Sequence, residues 1–540
     1  MPRRKIPTKA ELIRLQKLYK TDEKIAERLG NVTPQLIAYW RRKKNIARHS
    51  FPKFSIEEIR DIWERYGDDY RCGLELGISK AAFYNWRRKY NLKEKPAFLK
   101  LEQLELNLGI AQKSATANRS FDRRTVVQKI LARSTGQDKV EPDEIIEVEP
   151  DLAVLYTGTA EIIRDFQKLG RNYLWNPNRV VIALNNCSPQ DMNKSAEDHK
   201  LIREFVKLQN IKYFYDLYDG VCHQNVVESG MILPGQLAFG TARSISSYGC
   251  IGAFASEVSP ETMTSLWVDG KVETRVPHTV KIIVNGKLPE SIYIKDLALF
   301  ITNKLNSENI EGKAIEFYGT TISQMSISER FSLTNAAVEM GALTAVCSFD
   351  SVSRKYLLHR IRMPFRPALA DKNAEYAQTY EFNIEQLIPQ IACPGSLGNV
   401  RAVSELDGVR VDQIIIGTCA SGRLDDLKIA SDILKGKRID SGVRVLISPA
   451  SKSVYLEALK KGLIRSFLEA GAVVLGPGCG SCVGGGVGAL AAGEKCLTTG
   501  NCNTQGRLGS LDSEIYIVSP ATAAASAIKG VITNPTGYIK

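Results

Sequence analysis

Histidine is scarce in this 540-residue chain, which has five, at His49, His199, His223, His278 and His359. Long apolar runs are missing too: no stretch approaches the roughly 18–20 residues that span a bilayer. The basic opening, MPRRKIPTKAELIRLQ, lacks the apolar segment that follows it in a secretory signal. These absences predict a cytoplasmic protein without a membrane partner. Eleven cysteines in a chain this long do not make a disulfide framework, which belongs to small secreted domains. Cys72, Cys187, Cys222, Cys250, Cys347, Cys393 and Cys496 stand alone among mostly apolar or small neighbours and read as core packing.

Acidic residues are few at one end only. Residues 1–100 hold 25 Lys and Arg against 12 Asp and Glu, whereas residues 101–540 hold 47 of each, so the whole net charge of +13 sits in the first hundred. A basic module joined to an electroneutral body points to a polyanion partner for the module and separate work for the body.

The module is a repeat. Thr33-Pro-Gln-Leu-Ile-Ala-Tyr-Trp40-Arg-Arg-Lys-Lys-Asn-Ile46 aligns with Ser79-Lys-Ala-Ala-Phe-Tyr-Asn-Trp86-Arg-Arg-Lys-Tyr-Asn-Leu92. Each copy reads as a helix, a short helix, a glycine-containing turn and a third helix capped by Thr33 or Ser79. Pro34 stands at the first helical position of one copy, and Ser55 with Glu58 makes a capping box ahead of the other. This order resembles tandem homeodomain-like helix-turn-helix modules, expected over 1–50 and 51–95, with a linker over 96–122. Leu36, Ile37, Trp40, Phe83 and Trp86 are expected inside. Gln35, Arg41, Arg42, Lys43 and Lys44, with Lys80, Asn85, Arg87, Arg88 and Lys89, are left for double-stranded DNA. Solvated basic faces, another nucleic acid or a docked protein are the alternatives.

From Ile145 onward, apolar runs such as Asp151–Tyr156, Val180–Leu184 and Ile414–Gly417 alternate with helical segments, the pattern of parallel sheets covered by helices. Ligand sites of such sheets lie at strand ends. Ile414-Ile-Ile-Gly-Thr-Cys419 runs from a strand into a polar turn, and Gly476-Pro-Gly-Cys479-Gly-Ser-Cys482 frames a C-x-x-C pair with glycine. Three thiolates suit an iron–sulfur centre with one iron open. The pair by itself also fits zinc, which lacks a nearby histidine as fourth ligand, or a redox disulfide, for which the glycine run after Cys482 is poor helix.

At these residues the chain resembles the aconitase and isopropylmalate-isomerase family. Gly417-Thr-Cys-Ala-Ser-Gly-Arg-Leu-Asp-Asp-Leu427 and Pro477-Gly-Cys-Gly-Ser-Cys482 look like its two cysteine loops. Lys129–Arg133, Gly220–Gln224, Leu233–Gly235, Ile315–Gly319, Thr334–Gly341 and Asn501–Arg507 follow in family order. The resemblance covers about residue 125 to 540. It implies three α/β/α domains over 123–540 and a [4Fe-4S] cluster on Cys419, Cys479 and Cys482. It also implies dehydration and rehydration of a hydroxy-carboxylate with a separate small swivel subunit.

Several family positions differ. An Asp-His pair becomes Asn185-Asn186, and an Asp-Ser-His triplet becomes Ala242-Arg243-Ser244. A His-Asp-Gly-Thr loop becomes Tyr156-Thr157-Gly158-Thr159, and one arginine becomes Cys502. His223 and Glu316 remain as the matched catalytic residues, with Asn501 and Arg507 for substrate. Arg243 is expected either to bind an anion or to salt-bridge Glu316. Cys502 is expected either as a fourth cluster ligand or as inert. With acid–base groups gone, the reading placed first is a cluster- or metabolite-responsive DNA-binding regulator. A repurposed iron–sulfur enzyme and a dehydratase large subunit follow.

Overall fold

The computed structural model describes residues 7–19, 21–29, 32–47, 54–66, 69, 72–73, 76, 78, 80–90, 92, 123–184, 192–305, 308–361, 364–482 and 487–539. Asn185, Asn186, Cys187, Ser79 and the expected linker lie outside them. The chain divides into two compact units, Met1–Pro96 and Ala97–Lys540.

The first unit is helical: α1 (Lys9–Tyr19), α2 (Asp22–Leu29), α3 (Pro34–Lys43), α4 (Ile56–Tyr66) and α5 (Lys80–Lys89). Leu12, Ile25, Ile37 and Trp40 form one small core, and Ile59, Trp63, Cys72 and Phe83 form another. The copies share more than sequence. Thr8 and Glu11 cap α1 reciprocally, as Ser55 and Glu58 cap α4. These caps are 47 residues apart, whereas Trp40 and Trp86 are 46 apart, so the second copy has one residue fewer between its first cap and its tryptophan.

Two expected DNA contacts are corrected. Arg41 donates to both carboxylate oxygens of Asp22 at 3.1 and 2.9 Å and to the Ile46 carbonyl at 3.2 Å. Arg87 does the same to Asp69 at 2.7 and 3.0 Å and to the Leu92 carbonyl at 3.0 Å. Their side chains are 11% and 5% exposed. A bidentate Arg–carboxylate pair fixes orientation as well as charge, so these arginines brace the third helix of each copy. Arg42, Arg88 and Lys89 remain exposed.

The second unit holds three sheets of parallel strands. The first runs β4-β3-β2-β5-β6, from Tyr213–Tyr215, Val180–Ala183, Leu152–Leu155, Leu237–Gly240 and Phe254–Glu257, all parallel. The second is β10-β9-β8-β11, from Thr344–Cys347, Ala314–Tyr318, Thr279–Asn285 and Gln378–Asn383, also all parallel. The third is β13-β12-β18-β17-β14-β15-β16, from Val400–Ala402, Gln390–Ala392, Glu514–Val518, Lys495–Thr498, Gln413–Gly417, Arg444–Ser448 and Val473–Val474. In it only β12 runs antiparallel to its neighbours. A two-stranded antiparallel ribbon pairs β1 (Ile145–Val148) with β7 (Val272–Arg275).

Fully buried strands such as Val180–Ala183 and Gln413–Gly417 need cover on both faces. Phe166, Phe205 and Trp267 pack over one face of the first sheet, and Val226, Tyr248 and Phe331 belong to a second cluster there. Among the described residues no helix is long and apolar enough to cross a membrane.

Replacing Arg87 with Ala leaves Asp69 buried without its partner, a loss of about 3 kcal/mol. Faster amide exchange across residues 54–92 of the full chain is the expected readout. The exposed Arg88→Ala change stays within about 0.5 kcal/mol of wild type.

Candidate functional site

In an open sheet of parallel strands, a crevice opens where neighbouring strands send their connections to opposite sides. The order of the third sheet reverses between β14 and β17. Cys419 follows the end of β14, and Asn501 and Cys502 follow the end of β17. The first sheet reverses between β2 and β5, where Tyr156 and Thr241 to Arg243 emerge. The two crevices meet, because the Tyr156 hydroxyl lies 2.8 Å from the Cys479 Sγ.

Tight backbone brings the cysteine loops together. Gly417 has φ +122°, and a Cβ there would stand 2.0 Å from the Ser448 carbonyl oxygen. Gly480 has φ +53°, and its Cβ would stand 1.9 Å from the Ser448 hydroxyl. Only glycine permits both approaches. Thr418, between Gly417 and Cys419, holds φ +64°, an outlier for a β-branched residue. The Gly478 amide donates to the Pro449 carbonyl at 3.0 Å, pinning the C-x-x-C loop to the end of β15.

Cys419, Cys479 and Cys482 are half-buried. Burial raises the pKa of all three, and their sulfurs raise one another further: Cys482 and Cys479 act on Cys419, and Cys482 acts on Cys479. Tyr156 offsets part of this at Cys479, whose thiol is pushed up to about 11. Three cations surround the group. Burial works against the charge of Arg507, but Cys482, Cys502 and Cys419 outweigh it and raise its pKa. Arg423 donates to the Cys419 carbonyl at 3.1 Å and pairs with Asp426 at 3.3 Å. Lys295 is buried, donates to the Gly500 carbonyl at 3.1 Å and to Asn501 Oδ1, and is lowered to about 8, first by burial and also by Arg423.

Asn501 continues this network to Asn335, whose amide reaches the Ser247 hydroxyl at 2.7 Å. Glu339, near Arg243, Lys295 and Arg507, has a pKa raised by burial despite these cations. Sequence reasoning passed over Lys295 and Glu339. The signal for Lys295 was a charge inside the apolar run Ile294-Lys-Asp-Leu-Ala-Leu-Phe-Ile301, and Glu339 lay within the matched segment Thr334–Gly341.

His223 is buried, stacks on Phe331 at 5.8 Å, and is lowered to about 3 by burial and then by Arg423. Its ring is neutral at ordinary pH. Glu316 accepts from the Val127 amide at 3.1 Å and from the hydroxyls of Tyr318 at 2.6 Å and Tyr376 at 3.0 Å. The expected Arg243–Glu316 bridge is not formed: Arg243 lies 3.7 Å from Glu257. Glu316 instead ties the helix Val126–Thr135 to β9. Cys502 lies near Cys482 and Arg507 and shares a 3.1 Å contact with the Thr504 hydroxyl.

The residues present suit an iron–sulfur group. The buried hydroxyls of Thr418, Ser421, Ser448 and Ser481 and the His223 Nε2 have no hydrogen-bond partner in the protein. Polar groups left this way are costly unless something else satisfies them. Among the described residues no three His, Cys, Asp or Glu side chains close on one point. A cavity of about 540 Å³ is lined by Tyr156 together with Thr157, Gly158, Arg164, Lys168 and His199.

Sheets and site together define an α/β protein with a thiol-lined crevice. A sequence profile of the aconitase family (aconitate hydratase) matches residues 177–407 and 399–530. The chain is 39% identical over 417 residues to 3-isopropylmalate dehydratase large subunit 1 of Methanopyrus kandleri, covering 77% of this chain and 100% of that protein. It is 40% identical over 386 residues to the probable methanogen homoaconitase large subunit of Methanosarcina mazei, covering 71% and 98%. Among solved structures, aconitase X of Thermococcus kodakaraensis in its holo-form matches with a TM-score of 0.40 at 14% identity, over 70% of this chain and 89% of that one. The chain belongs to the aconitase family, and its sheets have the α/β architecture of that family.

Folded His223 titrates at about 3, against about 6.5 in an unfolded chain. The unfolded state therefore binds the extra proton first, and stability falls as pH drops below 6.5, by about 1.4 kcal/mol per pH unit from this group. Urea unfolding of wild type and His223→Gln is expected to show a stability difference that shifts in favour of the variant between pH 6.5 and 5.

Proposed function

We propose that residues 123–540 are the large subunit of an iron–sulfur hydro-lyase that adds or removes water on a hydroxy-carboxylate in the cytoplasm, with a separate small swivel subunit completing the site. The convergence of Cys419, Cys479 and Cys482 within a ring of Arg507, Lys295 and Arg423 carries this reading. Both relatives described above are named as large subunits of such enzymes. They match nearly their full lengths to this chain, which reverses the order expected from the sequence, where a regulator stood first.

The three cysteines would hold a [4Fe-4S] cluster, which when bound supplies a Lewis-acidic iron not ligated by protein. The surrounding residues act on the ligand and its charge. Arg507, with Arg243 and Lys295 nearby, draws a carboxylate into the crevice. Asn501, held by Lys295 and Asn335, presents a fixed amide edge. His223, neutral and deeply buried, is restricted to hydrogen bonding. Tyr156 shares a hydrogen bond with the Cys479 sulfur, so its hydroxyl is engaged before substrate arrives. Glu339 and Lys295 are ionisable groups close to the cysteine loops, and they are the groups left to move a proton where Asn185, Asn186, Ala242 and Ser244 do not.

The N-terminal modules, 1–50 and 51–95, joined to the body by 96–122, are read as a double-stranded DNA-binding unit. Their basic charge and exposed third-helix residues favour this. A regulator that senses its cluster is the second reading, supported by the altered acid–base positions. Equal DNA affinity of cluster-loaded and cluster-free protein would rule it out.

Anaerobic purification is expected to yield about four iron and four sulfide per chain, and Cys479→Ser to lose most of both. With the small subunit added, consumption of an unsaturated dicarboxylate, followed by its ultraviolet absorbance, tests turnover. A cluster-free wild type, or unchanged iron in Cys479→Ser, refutes the cofactor assignment.

A further inference from the structure

The two N-terminal copies agree where folding requires it and also at two exposed positions where it does not. Trp40 and Trp86 pack inward against their own small cores, and Arg41 and Arg87 brace their own Asp22 and Asp69. Folding accounts for those identities. It does not account for the next two positions, Arg42-Lys43 and Arg88-Lys89, which are exposed in both copies. Among the described residues no carboxylate pairs with any of the four. Arg42 only reaches back to the Ala38 carbonyl of its own helix, at 3.3 Å. Lys43 lies over Tyr39, and Lys89 over Trp86 and Tyr90.

Residues four and then three or four apart on a helix share one face. On α3 that exposed face reads Gln35, Tyr39, Arg42 and Lys43. At the matching positions of α5 it reads Ala81, Asn85, Arg88 and Lys89. The cationic end is common to both stripes and the first half is not. Arg and Lys serve phosphates without regard to sequence. Gln and Asn can grip adenine with two hydrogen bonds, and Ala can meet the thymine methyl. Tyr39, facing Asn85 in the alignment, cannot make the same pair of bonds.

Resting on the reading of this unit as DNA-binding, we infer that α3 and α5 read two different base sequences, so that one chain recognises a directional duplex site with two unlike half-sites. A single chain carrying both readers needs no palindrome. The step from Ala47 to Phe54 spans seven residues and reaches at most about 25 Å, so the two readers stay tethered and their half-sites lie on one stretch of duplex.

The full-length protein, challenged with a randomised duplex DNA pool, should select two dissimilar blocks in fixed order and orientation. Arg42→Ala and Arg88→Ala should each weaken binding about tenfold and flatten its salt dependence, as lost phosphate contacts do. The double variant Gln35→Ala, Tyr39→Asn gives α3 the stripe of α5, and its selected site should become a direct repeat of the second block. Circular dichroism and amide exchange check that these exposed changes leave the fold intact. A palindrome, a single block, or sequence-independent duplex binding overturns the two-reader inference while leaving DNA binding in place. Failure to bind duplex DNA, or preference for RNA, overturns the DNA reading itself.

Discussion

Parallel strands whose connections depart to opposite sides open a crevice at their carboxyl ends, and the rest of this site depends on where that happens in the third sheet. Between β14 and β17 the chain presents Cys419 from one strand and Asn501, Cys502 and Arg507 from the other. The third contribution, the C-x-x-C loop after β16, reaches the crevice only because Gly417 and Gly480 let backbone and side chain crowd against Ser448. The left-handed Thr418 follows from the same crowding. Strain of this kind persists where surrounding structure over-determines it, as at a ligand-holding loop.

Charge is the second constraint. Burying Lys295 and Arg423 near one another, with the more exposed Arg507 also close to the cysteines, is unfavourable unless negative charge answers them. Asp426 and Glu339 answer in part, and thiolates at Cys419, Cys479 and Cys482 would answer the rest. Protein alone leaves this region unbalanced, with thiols pushed up by burial, a lysine pushed down, and several hydroxyls unpartnered. The imbalance gathers around the loops that carry the three cysteines. That is why the cluster-binding reading draws support from the protein's own electrostatics as well as from the cysteine spacing.

The N-terminal unit shows the same side chain in two roles. Arg41 and Arg42 are adjacent and chemically identical, yet one is spent on Asp22 and the other faces solvent. A helix turns about 100° per residue, so consecutive arginines cannot share a task. Duplication makes the division legible, because Arg87 and Arg88 repeat it around Asp69.

Much of this was written in the sequence. Alternating apolar runs announced parallel sheets, the repeat announced two similar sets of helices, and Cys419 with the Cys479–Cys482 loop supplied the basis for the proposed three-thiol site. These are local signals, carried by periodicity, capping and short spacing. What the sequence left open was which distant groups meet. That Arg41 and Arg87 are braces required knowing how α2 packs on α3, and where Asp69 falls against α5. That Glu316 is occupied by Val127 and Tyr376 and that Lys295 is buried beside Asn501 are contacts across tens or hundreds of residues, and that Arg243 turns to Glu257 is likewise a matter of packing. Residue type and spacing determined the chemistry available to this protein. Only tertiary packing decided which charges were neutralised by one another and which remained free to act, because a charged group's role depends on its nearest partners in space.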